Sequence, residues 1–145
     1  MTTEGQYIPS TLQFAADQVA LYESTNGAEG NTLRDVPVII LTTRGAKTGA
    51  IRKSPLMRVE HGGKYAVVAS MGGAPKHPLW YHNLIANPDD VKLQDGATVY
   101  NMRVRELTGD EKAEWWARAT EVWPDYDAYQ ARTERVIPIL LLEPR

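Results

Sequence analysis

The chain has 145 residues, a formal net charge of −2 and no cysteine. That length suggests one domain, 1–145, large enough to bury a core of its own, and the missing cysteines exclude disulfides and thiolate metal sites. Without bulk basic charge a nucleic-acid partner is not expected, and no apolar run approaches the roughly 18 residues of a membrane span.

The opening "MTTEGQYIPS" has neither the basic flank nor the apolar segment of a secretory leader, so a cytoplasmic protein is expected. "STLQFAADQVALYESTNG" reads as an amphipathic helix over about 11–25, with Leu12, Ala15, Val19 and Tyr22 near one face. Pro9 and Ser10 mark its start and Asn26-Gly27 its end. This helix can pack on the rest of the protein or lie on the inner face of a membrane as a peripheral contact; the pattern allows both. "PVIILTT" is a short β-branched run and predicts a buried strand. After the glycine-framed "RGAKTGA", "IRKSPLMRVE" predicts a second strand, which Pro55 demotes to an edge or a bulge. "KYAVVAS" follows the turn "HGG" as a third strand of an antiparallel meander. "PLWYHNLIAN" predicts a short helix with Pro78 at its first position. "VKLQDGATVYNMRVREL" predicts a hairpin about Asp95-Gly96. "TGDEKAEWWARATEVW" predicts a helix capped by Thr108, with acids in its first turn. "YDAYQARTER" reads as a further helical piece, and "VIPILLLE" as a closing strand with an edge or bulge at Pro138. About six strands interrupted by helices predict a mainly β, α+β molecule built on a small antiparallel barrel.

Charge is unevenly spread. Arg44, Lys47, Arg52, Lys53 and Arg58 fall in 15 residues that contain no acid. A local basic patch on a mildly acidic chain suits a small anionic ligand better than a polymer. "TTRGAKTGAIR" has the basic and hydroxyl residues of a phosphate cradle. It is not a Walker A loop, because Ala46 precedes Lys47 and a strand follows. A solvated hairpin explains the same glycines. Strand alternation sends Arg52 and Lys53 to opposite faces, so at most one joins Lys47 without a bulge.

"SMGGAPKHPLWYHNL" packs two glycines, a lysine, two histidines and two aromatics directly after a strand. The five-residue spacing of His77 and His82 turns them roughly 140° apart on a helix, so no metal site is expected. No nucleophile elbow or ordered Ser-His-Asp set is legible, and no G-x-G-x-x-G follows a strand. Trp123, Tyr126 and Tyr129 recur at helical spacing and suit either ordinary packing or the wall of a pocket for a flat ligand.

Several stretches together resemble one family. "LTTRGAKTG", Arg52, "PL" at 55–56, "VASMGGAPKHPLWYHNLIANP" and "WPDYDAYQARTERVIPILLLE" are similar, in this order, to the deazaflavin-dependent nitroreductases and quinone reductases. The resemblance spans about Val36 to Glu143. It implies a split β-barrel related to flavin-binding barrels of pyridoxamine-oxidase type, with reduced coenzyme F420, a deazaflavin, as hydride donor. It implies that Ala46, Lys47, Thr48 and Arg52 hold the phosphate and the acidic tail. Lys53, Ser54, Pro55, Leu56 and Met57 would run along the cofactor. Val68, Ala69, Ser70 and Met71 would border the ring, and Leu79, Trp80, Tyr81, His82 and Asn83 would form the next wall. Tyr126 and Tyr129 match pocket tyrosines, and with Ser70 they are the candidates for orienting or protonating the acceptor. Met57, Met71 and Trp123 depart from residues frequent in nitroimidazole-reducing relatives. The implied acceptor is therefore a quinone or another planar enone or nitro compound. A flavin mononucleotide enzyme of the same barrel class and a non-catalytic deazaflavin carrier are the alternatives. No metal is implied, and the oligomeric state is not legible.

Overall fold

The structure, a computed structural model, describes residues 6–145, so the first half of the stretch read for a leader lies outside the described residues. The described residues form eight strands: β1 (Thr32–Leu33), β2 (Val36–Arg44), β3 (Ile51–Met57), β4 (Val59–His61), β5 (Lys64–Val68), β6 (Val91–Asp95), β7 (Thr98–Glu106) and β8 (Ile139–Pro144). Helices α1 (Gln13–Ser24), α2 (Leu79–Ala86), α3 (Gly109–Val122) and α4 (Asp125–Ala131) surround them, with a short 3-10 turn at Met71–Gly73.

All the strand pairs are antiparallel, in the order β1-β2-β6-β7-β8-β5-β4, with β3 on the other edge of β2. Only Arg58 separates β3 from β4, and its N–H donates to the Pro37 carbonyl at 2.8 Å. One bent stretch, Ile51 to His61, therefore pairs with β2 through its first half and with β5 through its second. The bend joins the two ends of the curled sheet. Eight named strands thus correspond to about six barrel positions, one of them divided at Arg58, plus the stub β1. Pro55 sits opposite Ile40 on β3, which among the described residues pairs along its length with β2 and meets Tyr7 only at Ile51. Such an edge tolerates the missing N–H. Pro138 lies one residue before β8 begins.

Both faces of the sheet are covered, which is why "PVIILTT" and "ILLL" read as unbroken apolar runs. Ile39, Leu41, Tyr65, Val67, Leu93, Met102, Leu140 and Leu142 form the barrel interior, and α2 packs Leu84 against them. Ala66, Val68, Ile139 and Leu141 turn outward onto Trp115 and Ala119 of α3 and Tyr126 of α4. Val38 and Ile40 turn outward onto Val19 and Tyr22 of α1. Two cap expectations need correction. Pro78 occupies the N-cap of α2 in an extended conformation rather than its first helical position. Thr108 is the N-cap of α3, but its side chain makes no capping bond. The first-turn acids Asp110 and Glu111 remain to complement the helix dipole.

Candidate cofactor site

The basic turn between β2 and β3 is held from behind. Gly45 N–H donates to the Ala50 carbonyl at 2.7 Å and Gly49 N–H to the Gly45 carbonyl at 3.0 Å, which closes the loop. Arg44 Nε donates to Asp90 Oδ2 at 2.7 Å, while its Nη1 donates to the Gly49 carbonyl at 2.9 Å. The buried Asn83 of α2 joins the helix to the loop. Its Oδ1 accepts from Ala46 N–H at 2.9 Å, and its Nδ2 donates to Thr43 Oγ1 at 3.2 Å. Asn83 therefore spends its amide on the turn, and so does the Ala46 N–H. What remains at the exposed tip is the Lys47 ammonium with the backbone N–H groups of Lys47 and Thr48, none of which has a partner among the described residues. Successive free amides beside a cation make an anion-binding concavity.

β3 divides its residues between two faces. Residues directly opposite in an antiparallel pair share a face, so Arg52, Ser54 and Leu56 lie with Thr43, Leu41 and Ile39, on the α2 side. Arg52 has no ion pair among the described residues and stands on the same face as Asn83. Lys53, Pro55 and Met57 register with Thr42, Ile40 and Val38, on the outward face, where Lys53 lies toward α1 and Met57 packs with the α3 and α4 cluster. Lys53 is ion-paired with Glu23 of α1, and its ammonium lies 5.1 Å from the Tyr7 ring centroid. The structure brings Ala46, Lys47, Thr48, Arg52 and Asn83 together and leaves Lys53 apart from them.

The second group gathers where β5 runs out. Ala69 and Ser70 are buried, while Met71 is exposed and held at a φ of 45°. A residue with a Cβ rarely adopts that conformation, which is therefore enforced by its surroundings. Ser70 Oγ has no hydrogen-bond partner among the described residues. Gly73 has a φ of 82°, and a Cβ there would fall 2.6 Å from the Tyr129 carbonyl oxygen. The 3-10 turn thus lies directly on α4. Tyr126 is buried between Trp116 and Tyr129 at ring-centroid distances of 6.5 and 6.1 Å, and its hydroxyl donates to Met57 Sδ at 3.8 Å. Burial, reinforced by the neighbouring Tyr129, pushes the Tyr126 phenol well above its ordinary range. It remains a proton donor rather than a base. Tyr129 Oη accepts from Trp123 Nε1 at 3.2 Å. So Met57, Val68, Ser70, Met71, Tyr126 and Tyr129 surround one end of the barrel, and Ala46 to Arg52 with Asn83 form another corner.

On the α2 wall Trp80 and Tyr81 pack partly against the barrel interior, whereas Leu79 and His82 are exposed. Tyr81 Oη donates to Glu106 Oε1 at 2.6 Å, and burial together with that carboxylate pushes its pKa up to about 12. Among the described residues no group of three metal-ligating side chains is present. A cavity of about 550 Å³ lies between α3 and α4, lined by Lys112, Trp116, Asp127 and Gln130 and by none of the residues expected at the site. Sequence reasoning counted Arg44 only as part of the basic patch and missed Asp90, Gln130 and Arg135; all four brace these loops. The only signal available was basic residues directly beside a glycine turn or a strand start, where they double as structural donors.

A family model described as F420H2-dependent quinone reductase matches residues 15–144. An F420H2-dependent quinone reductase of Mycobacterium tuberculosis is 37% identical over 130 residues, 87% of this chain and 87% of that protein. The solved structure of an F420-H2 dependent reductase is 52% identical with a TM-score of 0.69, covering 74% of this chain and 94% of the other. A structure from Listeria innocua, described as a pyridoxamine 5'-phosphate oxidase, has a TM-score of 0.53 at 12% identity, covering 89% of this chain and 91% of that one. At such identity the likeness is one of fold, and the fold is the split barrel.

Proposed function

The chain belongs to the F420H2-dependent quinone reductase family, and from that membership we propose that it transfers hydride from reduced coenzyme F420 to a planar acceptor such as a quinone. The observation that carries the reading is the braced basic turn. Lys47 and Arg52 have no ion pair among the described residues, and the free amides of Lys47 and Thr48 stand beside them. This donor set fits the phosphate and carboxylates of an anionic cofactor tail.

When bound, the reduced deazaflavin supplies the hydride, so the protein needs no nucleophile or metal of its own. Its residues bind, orient and protonate. Lys47 and Arg52 hold the anionic end. Ala69 to Met71 and the α2 wall present a flat border for the ring. Ser70 Oγ has its hydrogen-bonding capacity uncommitted, and the Tyr126 phenol stays protonated. Either can donate to negative charge that develops on an acceptor oxygen.

The test is single-turnover oxidation of reduced F420 by quinones, enones and nitro compounds, followed through the recovery of deazaflavin fluorescence. Quinone reduction is expected. Binding without turnover would leave a carrier, and tighter binding of flavin mononucleotide than of F420 would overturn the cofactor assignment. Arg52→Ala should weaken F420 binding by about 1.5–3 kcal/mol, the range for a hydrogen bond to a charged group. The melting temperature of the unloaded protein should barely change, because Arg52 has no ion pair among the described residues.

A further inference from the structure

Arg135 stands between α4 and β8 without a carboxylate partner among the described residues. Its guanidinium is spent on backbone instead. Nε donates to the Ala74 carbonyl at 2.7 Å, Nη1 to the Ala69 carbonyl at 3.0 Å and Nη2 to the Ser70 carbonyl at 2.7 Å. Nη1 also meets His77 Nδ1 at 3.0 Å. Removing a cation from water without a counter-ion is costly, so the placement needs these acceptors. A planar fork of five donors spreads its bonds over several carbonyls of one turn at fixed directions, where an ammonium offers three donors from a single point. Within the turn, Gly73 N–H donates to Ser70 O at 2.9 Å and Ala74 N–H to Met71 O at 3.1 Å; from outside it, Ala69 N–H donates to the Pro138 carbonyl at 3.0 Å and Arg132 Nη1 to the Gly72 carbonyl at 3.5 Å, so Arg135 supplies most of the hydrogen bonds that reach the turn from another element. Arg135 is in turn fixed by α4. Gln130 Nε2 donates to the Arg135 carbonyl at 2.8 Å, and Gln130 Oε1 accepts from Ile137 N–H at 2.8 Å.

We propose that Arg135 is a positioning residue that fixes the turn from Ala69 to His77 and locks it to α4, setting Ser70 and Met71 against Tyr126 and Tyr129. It touches neither reactant and acts through the Ala69, Ser70 and Ala74 carbonyls. The catalytic half of this inference rests on the proposed function; the structural half does not.

The experiment uses the full chain with Arg135→Gln and Arg135→Lys. In the unloaded proteins, amide hydrogen exchange over 69–77 should accelerate at least tenfold, while exchange in β2, β6 and β7 stays as in the parent. In the F420H2-loaded proteins, single-turnover reduction of a quinone should slow at least tenfold in Arg135→Gln. The F420 dissociation constant should change less than the rate does, because the basic turn that holds the anionic tail is untouched. Arg135→Lys should recover only part of the rate. Unchanged exchange over 69–77 overturns the proposal whatever the activity does. Faster exchange with an unchanged single-turnover rate overturns its catalytic half. A parent protein that binds no F420 would overturn the functional reading instead, and exchange alone would then decide the staple.

Discussion

Tyr126 and His77 show how much a single side chain's surroundings decide. Among the described residues the Tyr126 hydroxyl bonds only the Met57 sulfur, a weak acceptor, so Tyr126→Phe deletes no strong bond. Its melting temperature should stay close to that of the parent. If the phenol donates to the acceptor, kcat/KM falls roughly 10²-fold, the low end for acid–base help. A silent Phe variant would leave Tyr126 as a wall only. Protonation of His77 is disfavoured, chiefly by partial burial and then by the neighbouring Arg135 and His82 side chains, with Glu106 opposing them. The Tyr81 ring packs on it at 4.4 Å. Its folded pKa lies below the unfolded value of about 6.5. The unfolded chain therefore binds this proton more readily, so His77 contributes stability above about pH 6.5 that is lost as pH falls through the folded value. His77→Gln keeps an acceptor for Arg135 at every pH. Between pH 7.5 and pH 5 the parent should lose more melting temperature than this variant; parallel curves would rule out His77 as the source.

At the scale of elements, what was legible followed from periodicity, and what was missed followed from long-range contacts. The doubly covered strands announced themselves as apolar runs, and the Asp95-Gly96 hairpin as a turn pair. The division of β3 into an Arg52 face and a Lys53 face also followed from simple alternation. The role of Asn83 was not legible. Nothing local says that a helix residue will clamp a turn 37 positions earlier. Asn83→Ala removes both bonds and leaves the Ala46 N–H and Thr43 Oγ1 without that partner. It should cost about 1–3 kcal/mol in a urea melt, and it should also weaken F420 binding in a fluorescence titration. A stability loss with unchanged affinity would mean that the turn keeps its shape without the clamp. Gly73 makes the same point at the other corner. Gly73→Ala would press a Cβ on the Tyr129 backbone in a left-handed conformation. It should cost at least about 1–3 kcal/mol, the range for a strained residue, and part the 3-10 turn from α4. Thermal melts that match the parent would contradict that close packing.

At the scale of the whole molecule, the barrel keeps two chemically different corners on one rigid frame. The fold class was legible because strand count and short turns leave few architectures open. The closure at Arg58 was not, since a bent strand shared by both sheet edges has no local signature. The candidate site was legible mainly as a set of motifs, whose residues lie on an exposed cationic turn at one corner and a buried aromatic cluster at the other. The two corners should respond differently to salt. Contacts between exposed charges are screened as the Debye length falls from about 30 Å at 0.01 M to about 8 Å at 0.15 M. The F420 dissociation constant should therefore rise steeply with ionic strength, and Arg52→Ala should flatten that slope. Lys53→Ala should flatten it less, because Lys53 already faces Glu23. The proposed function puts hydride transfer from already bound cofactor at the aromatic corner, so its rate should hardly change with salt. Stopped-flow measurements at saturating F420H2 separate the two. A transfer rate that falls with salt in parallel with the affinity would mean that the cationic turn takes part in the chemical step as well as in binding.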